Sequence, residues 1–412
     1  MKILVVGGGI GGLTTAISLR RKGFPVDVYE SAREIRPLGV GINLLPHAVR
    51  ILTGLGLEHA IAKVAVATRE LAYFNKYGQK IWQEPRGKFA GYNWSQYSVH
   101  RGLFQVLLYT TAKELAGEEK IHTGHQLLSI ETNACKAIFF QKQTGKEIKV
   151  DYDLLIGADG IHSSVRRHFY PHEGEPQFSG NVLHRAITKA KPFLSCASMI
   201  MAGSPKQKFV AYPITPAIDK SGFQQINWIA DLPAGDDENW KERDWNRKSD
   251  KQKILAGYKE WKFDWLDIPA LIEKAQDIYE FPMSDRDPLE RWSFGNTTLL
   301  GDAAHPMYPI GSNGGSQAIL DAECITESLC AEKDIETALK NYEQKRLPAT
   351  AALVLQNRQM GPEQVMQIVE ERAPGGFKNL YDVITQQELE DIALRYKKIA
   401  GFDKEELNRK GY

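Results

Sequence analysis

The first thirty residues leave this chain little choice of fold. Lys2–Val6 is a short apolar, β-branched run, and Gly7-Gly8-Gly9-Ile10-Gly11-Gly12 follows it, fitting GxGxxG at Gly7, Gly9 and Gly12. A helical pattern carried by Leu13, Ala16 and Ile17 comes next, and a second strand-like run, Val26–Tyr29, ends on Glu30. Each glycine has a physical task in a strand–turn–helix cradle. Gly7 permits the tight turn, Gly9 lets backbone approach a pyrophosphate, and Gly12 lets helix and strand pack closely, with Gly11 in the same turn. The helix start then offers N–H groups and a positive dipole to phosphate. Glu30 stands 18 residues after Gly12, where an acid binds ribose hydroxyls and disfavours a 2′-phosphate. The motif alone does not choose between NAD and FAD.

Two later stretches choose flavin. Asp153-Leu154-Leu155-Ile156-Gly157-Ala158-Asp159-Gly160 is another apolar strand running into a turn, and Val165 and Arg166 open a helix after it. Thr297–Leu300 leads into Gly301-Asp302, then through Pro309 to Gly314-Gly315 and a helix whose buried face is marked by Ala318, Ala322, Ile325 and Leu329. Asp302 is suited to accept a hydrogen bond from a ribityl chain. The N–H groups near Gly314 and Gly315 are suited to hold negative charge on the N1–C2=O edge of a reduced flavin.

The three motifs, in this order and spacing, resemble the single-component FAD-dependent aromatic hydroxylases of the para-hydroxybenzoate and salicylate hydroxylase type, over roughly Met1–Leu355. Within that family the likeness runs to the flavin monooxygenases of phenazine biosynthesis, through Arg33–Asn43, Phe281–Trp292 and Leu299–Glu323. The resemblance implies an α/β, Rossmann-like FAD-binding domain, an inserted mostly β substrate domain and a helical C-terminal segment. It implies Gly7, Gly9, Gly12 and Glu30 on the ADP side and Gly41 and Ile42 along the flavin. Arg101, in the stretch Tyr97–Arg101, would reach the cofactor, Leu127 would pack near the adenine, and Asp159, Asp302, Gly314 and Gly315 would complete the cradle. Pro309 would line the substrate side of the flavin, with Tyr212, Trp228 and Tyr308 as pocket aromatics. His184 and Arg185 are candidates to meet a substrate carboxylate, although a surface position is the ordinary expectation for them. His305 is expected to orient its loop rather than act as a base, and no catalytic residue is named.

The implied reaction uses NADH or NADPH as a transient co-substrate to reduce FAD. O2 then adds, and the flavin C4a-hydroperoxide hydroxylates a small aromatic or N-heteroaromatic ring. The difficult chemistry belongs to the cofactor, so no nucleophile triad or carboxylate pair is required. A flavin-dependent dehydrogenase or reductase that never uses O2 is the alternative on the same fold.

Composition narrows the rest. The chain has 412 residues, with 52 Lys+Arg against 51 Asp+Glu. That size suits two or three domains, and the balance gives no broad basic surface for nucleic acid. Cys135, Cys196, Cys324 and Cys330 lack CxxC spacing, and the His122–His125 pair has no third ligand nearby in sequence, so no metal is expected. No run of about 18 apolar residues is present, and Met1–Val6 reads as a strand start rather than a signal peptide. A cytoplasmic monomer or homodimer is expected. The flavin domain is expected over 1–75, 98–175 and 278–355, the substrate domain over 76–97 and 176–277, and the helical segment over 356–412. The charged stretch Gly235–Asp250, with Trp240 and Trp245, reads as a solvated loop and helix start, and Gln386–Tyr412 as a surface helix.

Overall fold

The structure is a computed structural model and describes residues 1–216, 218–235 and 247–411. Most of the charged stretch, including Trp240 and Trp245, lies outside the described residues. The helix start expected at its end is present as Lys251–Tyr258, capped by the Asp250 carboxylate on the Gln252 N–H.

A six-stranded sheet forms the flavin-side core, in the order Ser293–Phe294, Thr297–Leu299, Leu154–Gly157, Ile3–Val6, Val26–Glu30 and Ile121–Thr123. The last five strands are parallel and Ser293–Phe294 pairs antiparallel at the edge. Ile3, Leu4, Val5, Leu154, Leu155 and Ile156 are fully buried, as continuous apolar strands covered on both faces should be. The helices Ile10–Arg21, Arg101–Ala116 and Gly314–Ala331 pack together with this sheet.

Strand order explains why three motifs far apart in sequence act together. Thr297–Leu299, Leu154–Gly157 and Ile3–Val6 are neighbours and run the same way. The loops at Gly7, Ala158 and Leu300 therefore emerge side by side at their carboxyl ends, where ligands bind in open α/β sheets. Contact is close: Gly7 has φ +110°, and a Cβ there would sit 2.3 Å from the Ala158 carbonyl oxygen.

A seven-stranded sheet makes the second layer, in the order Tyr279–Asp285, Gln177–Ala190, Gln224–Pro233, Gln207–Pro213, Ser198–Ser204, Glu70–Phe74 and Lys80–Pro85. Two expected boundaries cut through it. The boundaries expected at 75/76 and 277/278 leave Glu70–Phe74 and Tyr279–Asp285 on the flavin side, whereas their ladders belong to this sheet. Hydrogen bonding between strands distant in sequence sets such edges, and local composition does not carry that information. Alternation divides the sheet into two faces. Phe209, Ala211, Trp228 and Ala230 pack with the helices Lys251–Tyr258 and Ile268–Glu273. Val210, Tyr212 and Ile229 face the other way, toward the flavin-side layer.

The C-terminal segment is helical, with Gln364–Arg372, Gln386–Ile399 and Lys404–Arg409, while the helix Ile335–Arg358 runs across the boundary expected at 355. The tail is more than a surface helix. Tyr396 is buried, its hydroxyl accepts from Asn313 Nδ2 at 3.3 Å and lies 3.2 Å from the Ile310 carbonyl. Gln317 Nε2 also donates to the Ala400 carbonyl at 2.9 Å. The tail thus braces the loop that leads into Gly314. No helix among the described residues is long and apolar enough to cross a membrane.

Candidate active site

The two layers enclose a cavity of about 370 Å³. One wall is flavin-side backbone: Gly9 and Gly11, Gly41 and Ile42, Ala158 and Gly160, Leu300–Asp302, and Ser312–Gly315. The other is the substrate sheet, with Met199, Met201, Val210, Tyr212 and Ile229.

The flavin-side wall is built to hold a ligand. The helices Ile10–Arg21 and Gly314–Ala331 begin at Gly9 and Asn313 with no side-chain cap. Their first N–H groups are left for another acceptor. A Cβ on Gly9 would meet nothing within 4 Å, and one on Gly315 would meet only Ile10 Cδ1 at 3.9 Å. Asp302 opens onto this space. Burial raises its carboxyl pKa, partly opposed by the neighbouring His305 and Arg101. A pyrophosphate at the first helix start and a hydroxylated chain at Asp302 fit this donor and acceptor set.

Among residues expected from the sequence, Gly9, Gly11, Gly41, Ile42, Arg101, Asp302, Pro309, Gly314, Gly315 and Tyr212 line the cavity. Gly7 and Gly12 lie just behind it, and a Cβ on Gly12 would stand 2.0 Å from the Gly7 carbonyl oxygen. Glu30 closes its strand next to the first helix and accepts from the Gly8 and Ala32 N–H groups, each at 2.6 Å. Asp159 sits between the lining residues Ala158 and Gly160, but its carboxylate turns away. It accepts from the Ser163 hydroxyl at 2.5 Å and the Ser164 N–H at 2.7 Å, holding the start of the helix Ser164–Phe169. Leu127 is buried in the flavin-side core outside the cavity lining.

Two pocket aromatics are corrected. Trp228 is fully buried on the opposite face of the sheet, where its Nε1 donates to Thr188 Oγ1 at 2.9 Å. The register pairs Tyr212 with Asn227 and Ala211 with Trp228. Tyr212 and Trp228 therefore cannot share a face, because directly opposed residues point to the same side and successive residues alternate. Tyr308 is half-buried outside the cavity lining, and its carbonyl accepts from Asn357 Nδ2 at 3.1 Å.

Sequence reasoning underrated Arg185 and missed Asn227, Lys208 and Glu363. Arg185 lines the cavity and donates through Nη2 to the Gly41 carbonyl at 2.8 Å, while His184 points to the other face and bonds Ser249 at 2.8 Å. Burial pulls the Arg185 guanidinium pKa down, and no carboxylate pairs with it among the described residues. Asn227 Oδ1 accepts from the Gly41 N–H at 2.6 Å. Gly41 is thereby clamped through both its N–H and its carbonyl. Strand alternation from Tyr212 would have found Lys208; nothing local marks Glu363, which arrives from the C-terminal segment.

The model of the FAD binding domain family matches residues 1–357. The chain belongs to that family. It is 42% identical to phenazine 1,6-dicarboxylic acid hydroxylase PhzS of Lysobacter antibioticus, over 86% of this chain and 89% of the relative. It is 31% identical to 3-hydroxybenzoate 6-hydroxylase of Polaromonas naphthalenivorans, over 88% and 87% of the two chains. Among solved structures, a salicylate hydroxylase substrate complex superposes with a TM-score of 0.74 at 21% identity, covering 99% of this chain and 97% of that one, which speaks for the fold. The chain is an FAD-dependent monooxygenase of the aromatic-hydroxylase type, and the reductase alternative is set aside.

The hydroxylase's Gly301–Asp302 turn rests on a buried network. Asp321 Oδ2 accepts from the Gly301 N–H at 3.0 Å and from His305 Nε2 at 2.6 Å, and Oδ1 accepts from Arg346 Nε at 2.6 Å. A carboxylate can only accept, so His305 carries its proton on Nε2. Burial alone would raise the Asp321 pKa, but His305 and Arg346 outweigh it and hold the carboxyl at about 2. The His305–Asp321 bond ties the His305 loop to the helix Gly314–Ala331, which carries Asp321.

Proposed function

We propose that this monooxygenase takes electrons from NADH or NADPH and hydroxylates a flat, polycyclic N-heteroaromatic monocarboxylate. The observation that carries the reading is Arg185, a guanidinium with no carboxylate partner among the described residues, at the edge of a floor made of Met199, Met201, Val210 and Ile229. An apolar floor with one fixed cation suits a planar ring system bearing a carboxylate. The flexible methionines suit a broad ring face. The 42% relative, named for a phenazine dicarboxylic acid, supports the polycyclic N-heteroaromatic ring; the single carboxylate is read from the Arg185 guanidinium.

In this reading Glu30 holds the adenosine ribose, the N–H groups after Gly9 hold the pyrophosphate, and Asp302 holds the ribityl chain. Gly41 and Ile42 run along the ring, and Arg101 reaches the cofactor. Bound FAD supplies hydride acceptance from NAD(P)H and the activation of O2. The N–H groups at Gly314 and Gly315 would hold the ring's N1–C2=O edge and favour negative charge there. Arg185 anchors the carboxylate, Tyr212 and Pro309 set the ring plane, and the apolar floor keeps water from the reacting face. The setting is cytoplasmic, in keeping with NAD(P)H use and four unpaired cysteines, and the unit is a monomer or homodimer.

The test is a substrate panel read three ways: NAD(P)H oxidation, O2 consumption and hydroxylated product by mass spectrometry. Phenazine and quinoline carboxylates should give one product molecule per O2 consumed. Product from single-ring benzoates with none from the polycyclic acids would overturn the reading.

A further inference from the structure

The cavity ends in a charged cluster that none of the cofactor contacts uses. Lys208, Val210 and Tyr212 alternate along the cavity face of the strand Gln207–Pro213. The Tyr212 ring lies against Gly41 at the flavin edge. At ~3.3 Å per residue, Lys208 stands roughly 13 Å farther along the strand. Its Nζ donates to Glu363 Oε2 at 2.5 Å and lies 3.4 Å from Asp231 Oδ2. The three side chains are 7%, 1% and 1% exposed for Lys208, Glu363 and Asp231.

Charge arithmetic decides what this end can bind. One ammonium faces two carboxylates, and burial pushes the Asp231 carboxyl up against the pull of Lys208. Whether or not Asp231 keeps its proton, the cluster has no surplus positive charge. A substrate carboxylate placed there would have to compete with Glu363 for Lys208. Glu363 has spare capacity of the opposite kind. Oε2 is taken by Lys208, while Oε1 receives no hydrogen bond among the described residues, and the side chain lines the cavity.

We propose that Glu363 is a specificity-determining residue: its free carboxylate oxygen, held in place by Lys208, accepts a hydrogen bond from an N–H or O–H on the substrate at the end remote from Arg185. The site then selects an amine, a hydroxyl or a protonated ring nitrogen at that end and rejects a second carboxylate. The inference rests on the polycyclic monocarboxylate reading above and adds the chemistry of the far end. It also gives the C-terminal segment a part in substrate choice, since Glu363 precedes the helix Gln364–Arg372.

The experiment uses the oxidised FAD-loaded enzyme without NAD(P)H, so that binding is read from the flavin absorbance change and no turnover enters. The probes are phenazine-1-carboxylate, its 6-amino and 6-hydroxy derivatives, and phenazine-1,6-dicarboxylate. A charge-assisted hydrogen bond should make the amino and hydroxy probes bind about 10- to 100-fold tighter than the parent, with the dicarboxylate weakest. In E363Q the gap between the amino probe and the dicarboxylate should shrink at least about tenfold by the same reasoning. The triple K208M/D231N/E363L variant removes all three charges together, keeps the assay interpretable should E363Q fold poorly, and should abolish the ranking. Equal affinities across the probes in the wild-type enzyme, a dicarboxylate that binds tightest, or a ranking unchanged in either folded variant would overturn the proposal. Parent and derivatives that bind without any ranking would sink this inference alone. A flavin spectrum that none of the four probes perturbs would refute the substrate reading as well.

Discussion

Replacing Asp321 by Asn should cost the enzyme both stability and its hold on FAD. All three neighbours of this carboxylate are donors: the Gly301 N–H, His305 Nε2 and Arg346 Nε. An amide in its place must turn an NH2 toward one of them. Two routes give the magnitude. The carboxyl pKa is about 2 in the fold against 3.8 in the open chain, which at about 1.36 kcal/mol per unit is about 2 kcal/mol. Breaking a buried ion pair while leaving its cation inside costs about 3–5 kcal/mol. The two routes bracket the loss at about 2–5 kcal/mol, and about 3 kcal/mol lies within that range. Spread over an unfolding entropy of ~2.1 cal/mol/K per residue, that lowers Tm by about 3–4 °C for a chain of this size.

The sign with pH follows from the depressed pKa. The contribution is complete above the unfolded value of 3.8 and is lost as pH falls through about 2. The difference in Tm between wild type and Asp321→Asn should therefore be full at pH 7 and shrink in acid. Differential scanning calorimetry of the FAD-loaded proteins, paired with FAD release on dilution, reads both effects. An unchanged Tm at pH 7 together with unchanged FAD release would refute the argument that this network holds the Gly301–Asp302 turn.

Three further outcomes follow from the same geometry. Gly41→Ala places a Cβ 2.7 Å from both Asn227 Cγ and Tyr212 Cε2, so FAD affinity measured by flavin fluorescence should fall at least about tenfold, as expected for ~1–3 kcal/mol of overpacking at a clamped strand. Asp302→Ala should weaken FAD about 10- to 100-fold, the range for one buried hydrogen bond to a charged group; full FAD occupancy after extensive dialysis would remove Asp302 from its assigned role. Trp228→Phe should lower stability by about 1–2 kcal/mol through the lost bond to Thr188 while leaving KM for the aromatic substrate unchanged, and a KM shift would mean that this ring does reach the cavity.

By itself the sequence determined the cofactor half of this protein. The first glycine turn, the Asp159-Gly160 turn and the Gly301-Asp302 turn are local objects, each written in consecutive residues, and backbone chemistry at a helix start needs little else. Strand order then decided that the three loops meet, because parallel neighbours deliver their carboxyl ends to one place. The substrate half was decided by pairing at a distance. Register put Trp228 behind the sheet and Tyr212 in front of it, and it placed Arg185 in the cavity where its charge alone suggested a surface. The sheet's outer ladders moved the domain edges past Glu70 and Asp285. Glu363 reached Lys208 across 155 residues of chain, and Tyr396 reached the flavin loop from the tail. Those contacts exist because two layers and a C-terminal helix close on one another, and no window of sequence contains both partners.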